Sequence, residues 1–333
     1  MIAWDDEAAR AELVDALVGD AQQLLGHLPD RELDARVADA VVLLALLAGQ
    51  DVEPAADSDG TGGRWRIARR VAPDRVISTV DPRARHSHKS RSRRQDGYKA
   101  HVVVEPDTGI ITDTALTPAA GPDNSDATVG IDLLAGTART GTGPTGGWEV
   151  LADSAHTTGD ALAAPRNAGH TPIIKPWPPR PAVEGGFTLD DVTVIEPRGD
   201  QLGAVTCPNG VTRPITPTRN VIFGAACRGC PPRARRTTRK TGRSLTLHPH
   251  DAVQRAHRAR AQDPDFQTVY RRHRPMVERS TAWLVAGGNR RPRFRGTALN
   301  DLWLHHRVAA LNLRRLLTLG LTRTDGAWRA AAG

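Results

Sequence analysis

The sequence lacks a long hydrophobic run. Its longest apolar stretch is AVVLLALLAG, residues 40–49, which is far shorter than the roughly 20 residues that a membrane-spanning helix needs. No charged segment followed by an apolar one opens the chain, so a secretory signal peptide is not indicated. These two absences predict a cytoplasmic protein without a membrane partner.

Cysteine is scarce. The chain has three cysteines, Cys207, Cys227 and Cys230, and an odd number that cannot be fully paired in disulfides suits a reducing compartment. Cys207-Pro-x-Gly and Cys227-x-x-Cys230 resemble three quarters of a zinc knuckle, but a structural zinc ion wants four ligands. Arg236 stands where the fourth cysteine would fall. Zinc is therefore a possible cofactor that the sequence does not favour.

Acidic residues are outnumbered. The 333 residues include 45 Lys and Arg against 37 Asp and Glu, which gives a net charge of +8. A basic chain with clustered arginines suits a phosphate-binding surface, although an indifferent basic surface or a codon bias toward arginine would look the same. The clusters are RARHSHKSRSRRQDGYK (83–99), CRGCPPRARRTTRKTGR (227–243) and NRRPRFRG (289–296).

Hydrophobic periodicity divides the chain into segments. Leu13, Leu17, Ala21 and Leu24 recur at helical spacing before HLPD interrupts the pattern, so two helices are predicted over 5–48. EPAADSDGTGG has the composition of a linker. We expect a helical segment at 1–52, a linker at 53–74, the first part of a core at 75–176, a β-rich insertion with the cysteines at 177–250, and a helical C-terminal part of the core at 251–325.

Residues 75–176 predict an α/β fold with a mixed sheet flanked by helices. RVISTVD (75–81) is a short β-branched run, and YKAHVVVE, PDTG and IITDTALT predict a β-hairpin. SDATVGIDLLAG predicts a helix capped by Ser125 or Asp126. WEVLAD predicts a buried strand, which TTGDALAAPRNAG follows as a helix and HTPIIKP as a further strand.

Two acidic residues are candidates for chemistry. Asp153 ends the strand WEVLAD, and such residues face the crevice in which α/β sheets bind ligands. Glu278 follows Pro275, which suits the first position of a helix, and lies at the margin of an apolar stripe where a carboxylate is costly unless it is paired. The alternatives are a turn aspartate and a surface ion pair with Arg274. Together the two acids would suit Mg²⁺ in phosphoryl transfer.

Blocks between about residue 3 and residue 328 carry a family resemblance. The blocks are STVDPRARHSHKSRSRRQDGYKAHVVVEPDTG, VLADSAHTTG, IIKPWPPRPAVEGGFTLDDV, TCPNG, CRGCP, YRRHRPMVERSTAWL and AALNLRRLLTLGL. They resemble the DDE transposases of bacterial insertion sequences, specifically the group numbered eleven-eighty-two. RPMVER and DSA are the most specific of these motifs.

The resemblance implies an RNase H-like catalytic core that cuts double-stranded DNA at transposon ends and joins the 3′-hydroxyl to target DNA. It implies Mg²⁺ or Mn²⁺ as cofactor and a homo-oligomer on DNA, associated with the nucleoid. Asp153 matches the second catalytic acid of the family and Glu278 the third, and both would be metal ligands. Glu278 also belongs to a tyrosine–arginine–glutamate signature whose later lysine is replaced by Val285.

DNA contacts are assigned to the basic runs and to that signature. Guanidinium groups match phosphates bidentately, so arginines around one sheet suit the backbone of a nucleic acid. The expected DNA-binding residues are Arg91, Arg93, Arg94, Lys99, Tyr270, Arg274, Arg279, Arg290 and Arg291.

The chain also departs from the family pattern. The first catalytic aspartate of the family stands in an Asp-Ser/Gly-Thr strand upstream of the segment that IAWDDEAARAELV resembles, so we expect a truncated copy that lacks it. Asp81 is the local candidate for its replacement. His156 replaces a tyrosine and Arg236 a cysteine. The alternative hypotheses are a non-catalytic DNA-binding remnant that interferes with an intact transposase and, third, a zinc-dependent structural module.

Overall fold

A computed structural model describes residues 4–28, 32–55, 64–70, 72, 74–90, 93–139 and 147–329. The helices in this part of the chain are α1 (Glu7–Gly26), α2 (Ala35–Gly49), α3 (Asp126–Arg139), α4 (Gly159–Asn167), α5 (Asp251–Arg260), α6 (Pro264–Val285) and α7 (Thr297–Thr318). None of these described helices combines the length and the apolar character that crossing a membrane requires.

The strands are short. They are β1 (Val52–Pro54), β2 (Trp65–Ile67), β3 (Arg85–Ser90), β4 (Arg93–Val104), β5 (Ile111–Pro118), β6 (Glu149–Ala152), β7 (Thr171–Ile174), β8 (Thr193–Ile195), β9 (Ala204–Thr206), β10 (Thr212–Pro214), β11 (Asn220–Ile222), β12 (Ser244–Thr246), β13 (Thr322–Thr324) and β14 (Ala327–Arg329).

The strands form several small sheets, so the α/β class is confirmed. Three strands pair in the order β3-β4-β5 and three in the order β10-β9-β8, while β1-β2, β6-β7, β11-β12 and β13-β14 are two-stranded. β6 and β7 are parallel, whereas β3 and β4 are antiparallel. Strands of both directions are present, but among the described residues they lie in separate sheets and not in the one mixed sheet that the sequence predicts.

The chain divides into two compact units. Unit 1 comprises Met1–His101, Ala115–Ser125 and Ala286–Ala309, and unit 2 comprises Val102–Thr114, Asp126–Val285 and Ala310–Gly333. These units do not test the segment boundaries predicted from the sequence, which stay predictions.

Unit 1 begins with α1 and α2, which confirm the two helices predicted over 5–48. Each starts at an aspartate that accepts backbone N–H groups of the first turn, Asp6 for α1 and Asp34 for α2. This capping satisfies donors that have no partner within the helix. β1, at the start of the predicted linker 53–74, then pairs with β2 inside it, and linker residues 56–63, 71 and 73 lie outside the described part of the chain.

The strand expected over 75–81 is not formed, and that prediction is wrong. The side-chain N–H of Gln50 donates to the Val76 carbonyl at 2.8 Å, and the backbone N–H of Val76 donates to the Gln50 side-chain oxygen at 3.1 Å. One glutamine side chain thus supplies both hydrogen bonds that a neighbouring strand would give. Near the other end of the run, the Asp81 N–H donates to Ser78 Oγ at 3.1 Å.

The β-hairpin predicted around PDTG is confirmed as β4 and β5. Glu105 N–H donates to the carbonyl of Ile110 and Gly109 N–H to the carbonyl of Glu105, each at 2.8 Å. Gly109 has a φ of 76°, which only glycine adopts readily. The turn residues PDTG therefore end one strand and start the next as expected.

The centre of unit 2 is the parallel pair β6 and β7, with α4 between them in the chain. Thr158 caps α4 by accepting the Ala161 N–H at 3.2 Å. The strands and helix predicted over 148–176 are thus present. Side chains of α6 pack against this pair in one hydrophobic cluster. Its buried members are Ile173 of β7, Ala261 just after α5 and Phe266 of α6, and Leu151, Val269 and Tyr270 are partly buried against them.

The segment 177–250 contains five of the short strands around its own core. This core is built from Val192, Val205, Cys207, Ile215, Val221, Phe223, Cys227, Leu245 and Leu247. The β-rich character predicted for this segment is therefore observed.

Helix α6 starts eleven residues earlier than the sequence suggested, at Pro264 and not at Pro275. Asp263 accepts the Asp265 N–H at 2.9 Å, so the aspartate and the following proline provide the start signal. Pro275 lies inside the helix, which loses one backbone hydrogen bond there. Glu278 is consequently in the body of a long helix and not in a first turn.

Asn300 is a buried polar residue that organises the entry into α7. It is 1% exposed, accepts the Phe294 N–H at 3.0 Å and donates to the carbonyls of Phe294 and Gly296 at 2.7 and 2.8 Å.

We expect Asn300→Ala to lower the free energy of unfolding by about 2–3 kcal/mol, because buried groups lose their partners. Urea denaturation measures this. Asn289→Ala, which removes an exposed hydrogen bond, should cost less than about 0.5 kcal/mol; equal losses would contradict the role of Asn300.

The buried His257 predicts a pH-dependent stability of unit 2. It is fully buried, its Nε2 donates to the Ile174 carbonyl at 2.6 Å, and its Nδ1 has no hydrogen-bond partner among the described residues. Burial, and then the charges of Arg166, Arg260 and Arg258, outweigh that hydrogen bond and lower the pKa of His257.

The folded state therefore favours neutral His257. Its contribution to stability is complete above the unfolded pKa of about 6.5 and is lost as the pH falls toward the lower folded pKa. Each tenfold difference in proton affinity is worth about 1.4 kcal/mol. Urea unfolding between pH 7 and pH 4 should show this loss, and His257→Gln should flatten it. If the exposed control His306→Gln flattens it equally, the assignment to His257 is wrong.

Candidate active site

Asp153 lies directly after β6, at the carboxyl end of the strand, as predicted. It caps the short 3₁₀ turn Ser154–His156, and its Oδ1 accepts the Ala155 N–H at 2.9 Å. Its side chain is 62% exposed. The turn-capping role that the sequence left open is therefore real, and it leaves most of the carboxylate accessible.

His156 is the nearest side-chain partner of Asp153. Its Nδ1 lies 3.3 Å from Asp153 Oδ1. A Cβ added to Gly130 of α3 would lie 3.1 Å from the His156 ring, so a residue without a side chain lets the helix approach the histidine. The Asp-x-x-His spacing at a strand end is the sequence signal for this pair, although the family resemblance marks His156 only as the replacement of a tyrosine.

Glu278 is paired with Arg274 on the surface of α6. Arg274 Nε donates to Glu278 Oε1 at 2.8 Å, and Arg274 Nη1 donates to the Tyr270 hydroxyl. The guanidinium carbon also lies 5.5 Å from the centre of the Tyr270 ring. The Glu278 side chain is 64% exposed, so an ion pair of this kind contributes only about 0.3–0.5 kcal/mol. Glu278 is not at the margin of a buried face.

Arg274 connects the two acids electrostatically. The hydrogen bond with His156, helped by the Ala155 N–H and by the charges of His156 and Arg274, outweighs burial and holds the pKa of Asp153 below its usual range. The same guanidinium bonds to Glu278. Within unit 2, Arg274 of the Tyr270–Arg274–Glu278 triplet therefore interacts electrostatically with both Glu278 and Asp153.

Asp81 belongs to unit 1 and is engaged in hydrogen bonds. Its two carboxylate oxygens accept the Tyr98 hydroxyl at 2.7 and 2.8 Å, and Oδ1 accepts the Gly296 N–H at 3.2 Å. Burial and the contact with Asp81 raise the pKa of Tyr98, so the phenol stays protonated and donates. Asp81 therefore ties the segment before α7 to β4.

The predicted DNA-binding residues occupy several elements. Arg279, Arg290 and Arg291 are exposed, and Lys99 in β4 is half-buried. Arg93 and Arg94 lie in β4, opposite Ser90 and His88 of β3. Arg91 lies outside the described residues.

The described residues contain no group of three or more His, Cys, Asp or Glu side chains arranged to hold a metal ion. Asp153 and Glu278 provide two carboxylates, whose oxygens are the donors that Mg²⁺ prefers. Cys207, Cys227 and Cys230 are buried free thiols, and they do not form such a group either.

Comparison with known families adds an independent finding. Residues 206–317 are similar to the family described as Transposase DDE domain. The match covers less than half of the chain; it includes Glu278 and the triplet but begins after Asp153. No curated protein and no solved structure matches the chain significantly.

Removal of His156 should raise the pKa of Asp153, because the hydrogen bond with this histidine is the largest influence that lowers it. We expect His156→Ala to show this upward shift in a ¹³C titration of labelled aspartate carboxyl groups. His250→Ala is a matched control, since His250 contacts Asp160 at 3.2 Å. An unchanged Asp153 titration in His156→Ala would refute the pairing.

Proposed function

We propose that this chain is a DDE-type DNA transposase that cuts and joins DNA with a divalent metal ion. The observation that carries the proposal is geometric: α6, which carries Glu278, packs against the β6–β7 pair, and Asp153 lies at the end of β6. Arg274 bonds to Glu278 and, after His156 and the Ala155 N–H, contributes to the lowered pKa of Asp153. These two acids come from segments that are far apart in the chain. The similarity of residues 206–317 to a transposase DDE domain supports the same assignment.

An RNase H-like core is part of this proposal. Its support is the order of elements: an antiparallel hairpin (β4, β5), a helix (α3) and a parallel strand–helix–strand unit (β6, α4, β7). A parallel pair needs a crossover connection, and α4 provides it here. Asp153 leaves this unit at the carboxyl end of β6, where open α/β sheets bind their ligands.

Asp153 and Glu278 would hold the metal ion, Mg²⁺ or Mn²⁺. The donor set fits, because both are carboxylates and both are more exposed than buried. Such an ion, when bound, supplies a nucleophile at neutral pH and neutralises charge on the phosphate. Arg274 would have to share Glu278 with the metal, and its remaining N–H groups could then contact a phosphate oxygen.

Asp81 is the candidate for the third acid. Its carboxylate already accepts hydrogen bonds from Tyr98 and Gly296, so it would coordinate a metal only by exchanging one of them.

DNA is the proposed substrate and partner, and a homo-oligomer assembled on DNA is proposed with it. Arg279, Arg290 and Arg291 are exposed arginines, which suit contacts with phosphates. Such contacts would make binding strongly salt-dependent.

A non-catalytic DNA-binding protein that interferes with an intact transposase is the second candidate. Two observations favour it: Asp81 is already satisfied by Tyr98 and Gly296, and Glu278 is already neutralised by Arg274. The exposed arginines would serve this function without any catalytic acid.

Glu278→Gln tests the catalytic assignment. Duplex DNA from both flanks of the gene is incubated with the chain and Mg²⁺ or Mn²⁺, and nicked and joined products are resolved on denaturing gels. We expect the substitution to reduce product formation by about 100-fold or more, the scale on which losing a group that stabilises transition-state charge acts. Glu149→Gln, an exposed acid on β6, should leave the rate unchanged.

Filter binding over a salt series, combined with the product assay, distinguishes the catalytic candidate from the non-catalytic one. Equal products from the unsubstituted chain and Glu278→Gln would refute the catalytic role of Glu278. Salt-dependent binding without products in any variant would support the non-catalytic candidate, and binding that does not respond to salt would contradict both.

A further inference from the structure

Two of the three cysteines of the 177–250 segment line a small cavity. Cys207 and Cys227 line it together with Val192, Pro208, Phe223, Arg236 and Arg243. The cavity thus combines two thiols and two guanidinium groups with apolar walls. It lies within unit 2 and is separate from Asp153 and Glu278 in sequence and in the core to which it belongs.

The donor set around this cavity does not fit zinc. A structural zinc ion takes four ligands in a tetrahedron, and the described residues offer no group of three suitable side chains. Instead, Arg236 Nη1 donates a hydrogen bond to Cys207 Sγ at 3.0 Å. A positive side chain already occupies the position next to the sulfur.

The environment of Cys207 lowers the pKa of its thiol. Burial raises the pKa of this thiol, but the backbone N–H groups of Asn209 and Val211 and the guanidinium of Arg236 outweigh it and hold the pKa below the usual value. The Cys-Pro-Asn-Gly turn, closed by the Gly210 N–H on the Cys207 carbonyl at 2.8 Å, sets those two amides around the sulfur.

Arg236 is a buried arginine whose guanidinium has few hydrogen-bond partners. The residue is 3% exposed, and its Nε and Nη2 are buried with no hydrogen-bond partner in the part of the chain that the structure describes. Its guanidinium carbon lies 5.4 Å from the centre of the Phe187 ring, which compensates the charge only in part. A buried charge is costly unless it is paired, and Cys207 Sγ is the acceptor that the Arg236 guanidinium meets at 3.0 Å.

Arg243 strengthens the case against a metal. This second arginine lines the same cavity and donates to the carbonyls of Phe187 and Arg236 at 3.1 and 3.3 Å. Two guanidinium groups facing one small cavity repel a divalent cation at short range.

We propose that the Cys207 thiolate and the Arg236 guanidinium form a buried ion pair that stabilises this segment in place of a metal ion. The pair is charge-assisted and needs no cofactor. This inference is independent of the proposed transposase activity, because none of its residues belongs to the candidate active site.

Metal analysis and thiolate spectroscopy test the unsubstituted chain. After exposure to Zn²⁺ and dialysis, we expect no stoichiometric zinc and no rise in the midpoint of thermal unfolding. The native chain at pH 7 should show the ultraviolet absorbance of one thiolate, which disappears on unfolding because an ordinary thiol with a pKa of about 8.5 is mostly protonated at this pH. One equivalent of zinc, or a native spectrum without thiolate, would overturn the proposal.

A double-substitution cycle tests the pairing itself. Cys207→Ala and Arg236→Met should each lower the unfolding midpoint by about 5 °C or more, and the double variant should lose clearly less than the sum. Cys230→Ala removes a buried thiol other than the one that accepts the Arg236 hydrogen bond, and Arg235→Met removes the exposed neighbouring arginine. Both controls should lose less. Additive losses for Cys207 and Arg236 would show that no ion pair exists.

Discussion

The packing of α6 on the parallel pair β6–β7 is the constraint on which the candidate active site depends. Phe266 and Tyr270 bury one face of the helix against Ile173 of β7 and Leu151 of β6. A parallel pair cannot be left open to water on both faces, so the helix must lie there. Once it does, Glu278 is held two turns beyond Tyr270, and Arg274 between them acts on Asp153 at the end of β6.

Arginine side chains pair with anionic groups in two different environments of this basic chain. Arg274 neutralises Glu278 at an exposed position, where water screens the pair and the two partners can separate at little cost. Arg236 neutralises the Cys207 thiolate where water is excluded, and separation there would leave a buried charge. The same residue type thus gives an exchangeable pair at the proposed catalytic site and a fixed pair in the core of the neighbouring segment.

Local patterns predicted local structure well. The two N-terminal helices, the hairpin around PDTG and the strand–helix–strand unit were all readable, because caps, turn residues and periodicity act within a few residues. Two of the wrong predictions, the strand over 75–81 and the start of α6, have long-range or competing causes. Gln50 supplies the hydrogen bonds that a strand at Val76 would need, and Asp263 with Pro264 starts α6 before Pro275 could.

The sequence by itself determined the positive charge, the α/β class and the position of Asp153 at a strand end, since these follow from composition and from local hydrogen bonding. Only the tertiary structure decided which distant residues are the hydrogen-bond partners of Asp81 and Arg236. Asp81 meets Tyr98 and Gly296, and Arg236 meets Cys207, across separations of 17, 215 and 29 residues. Such contacts depend on how distant elements pack, which no local pattern encodes.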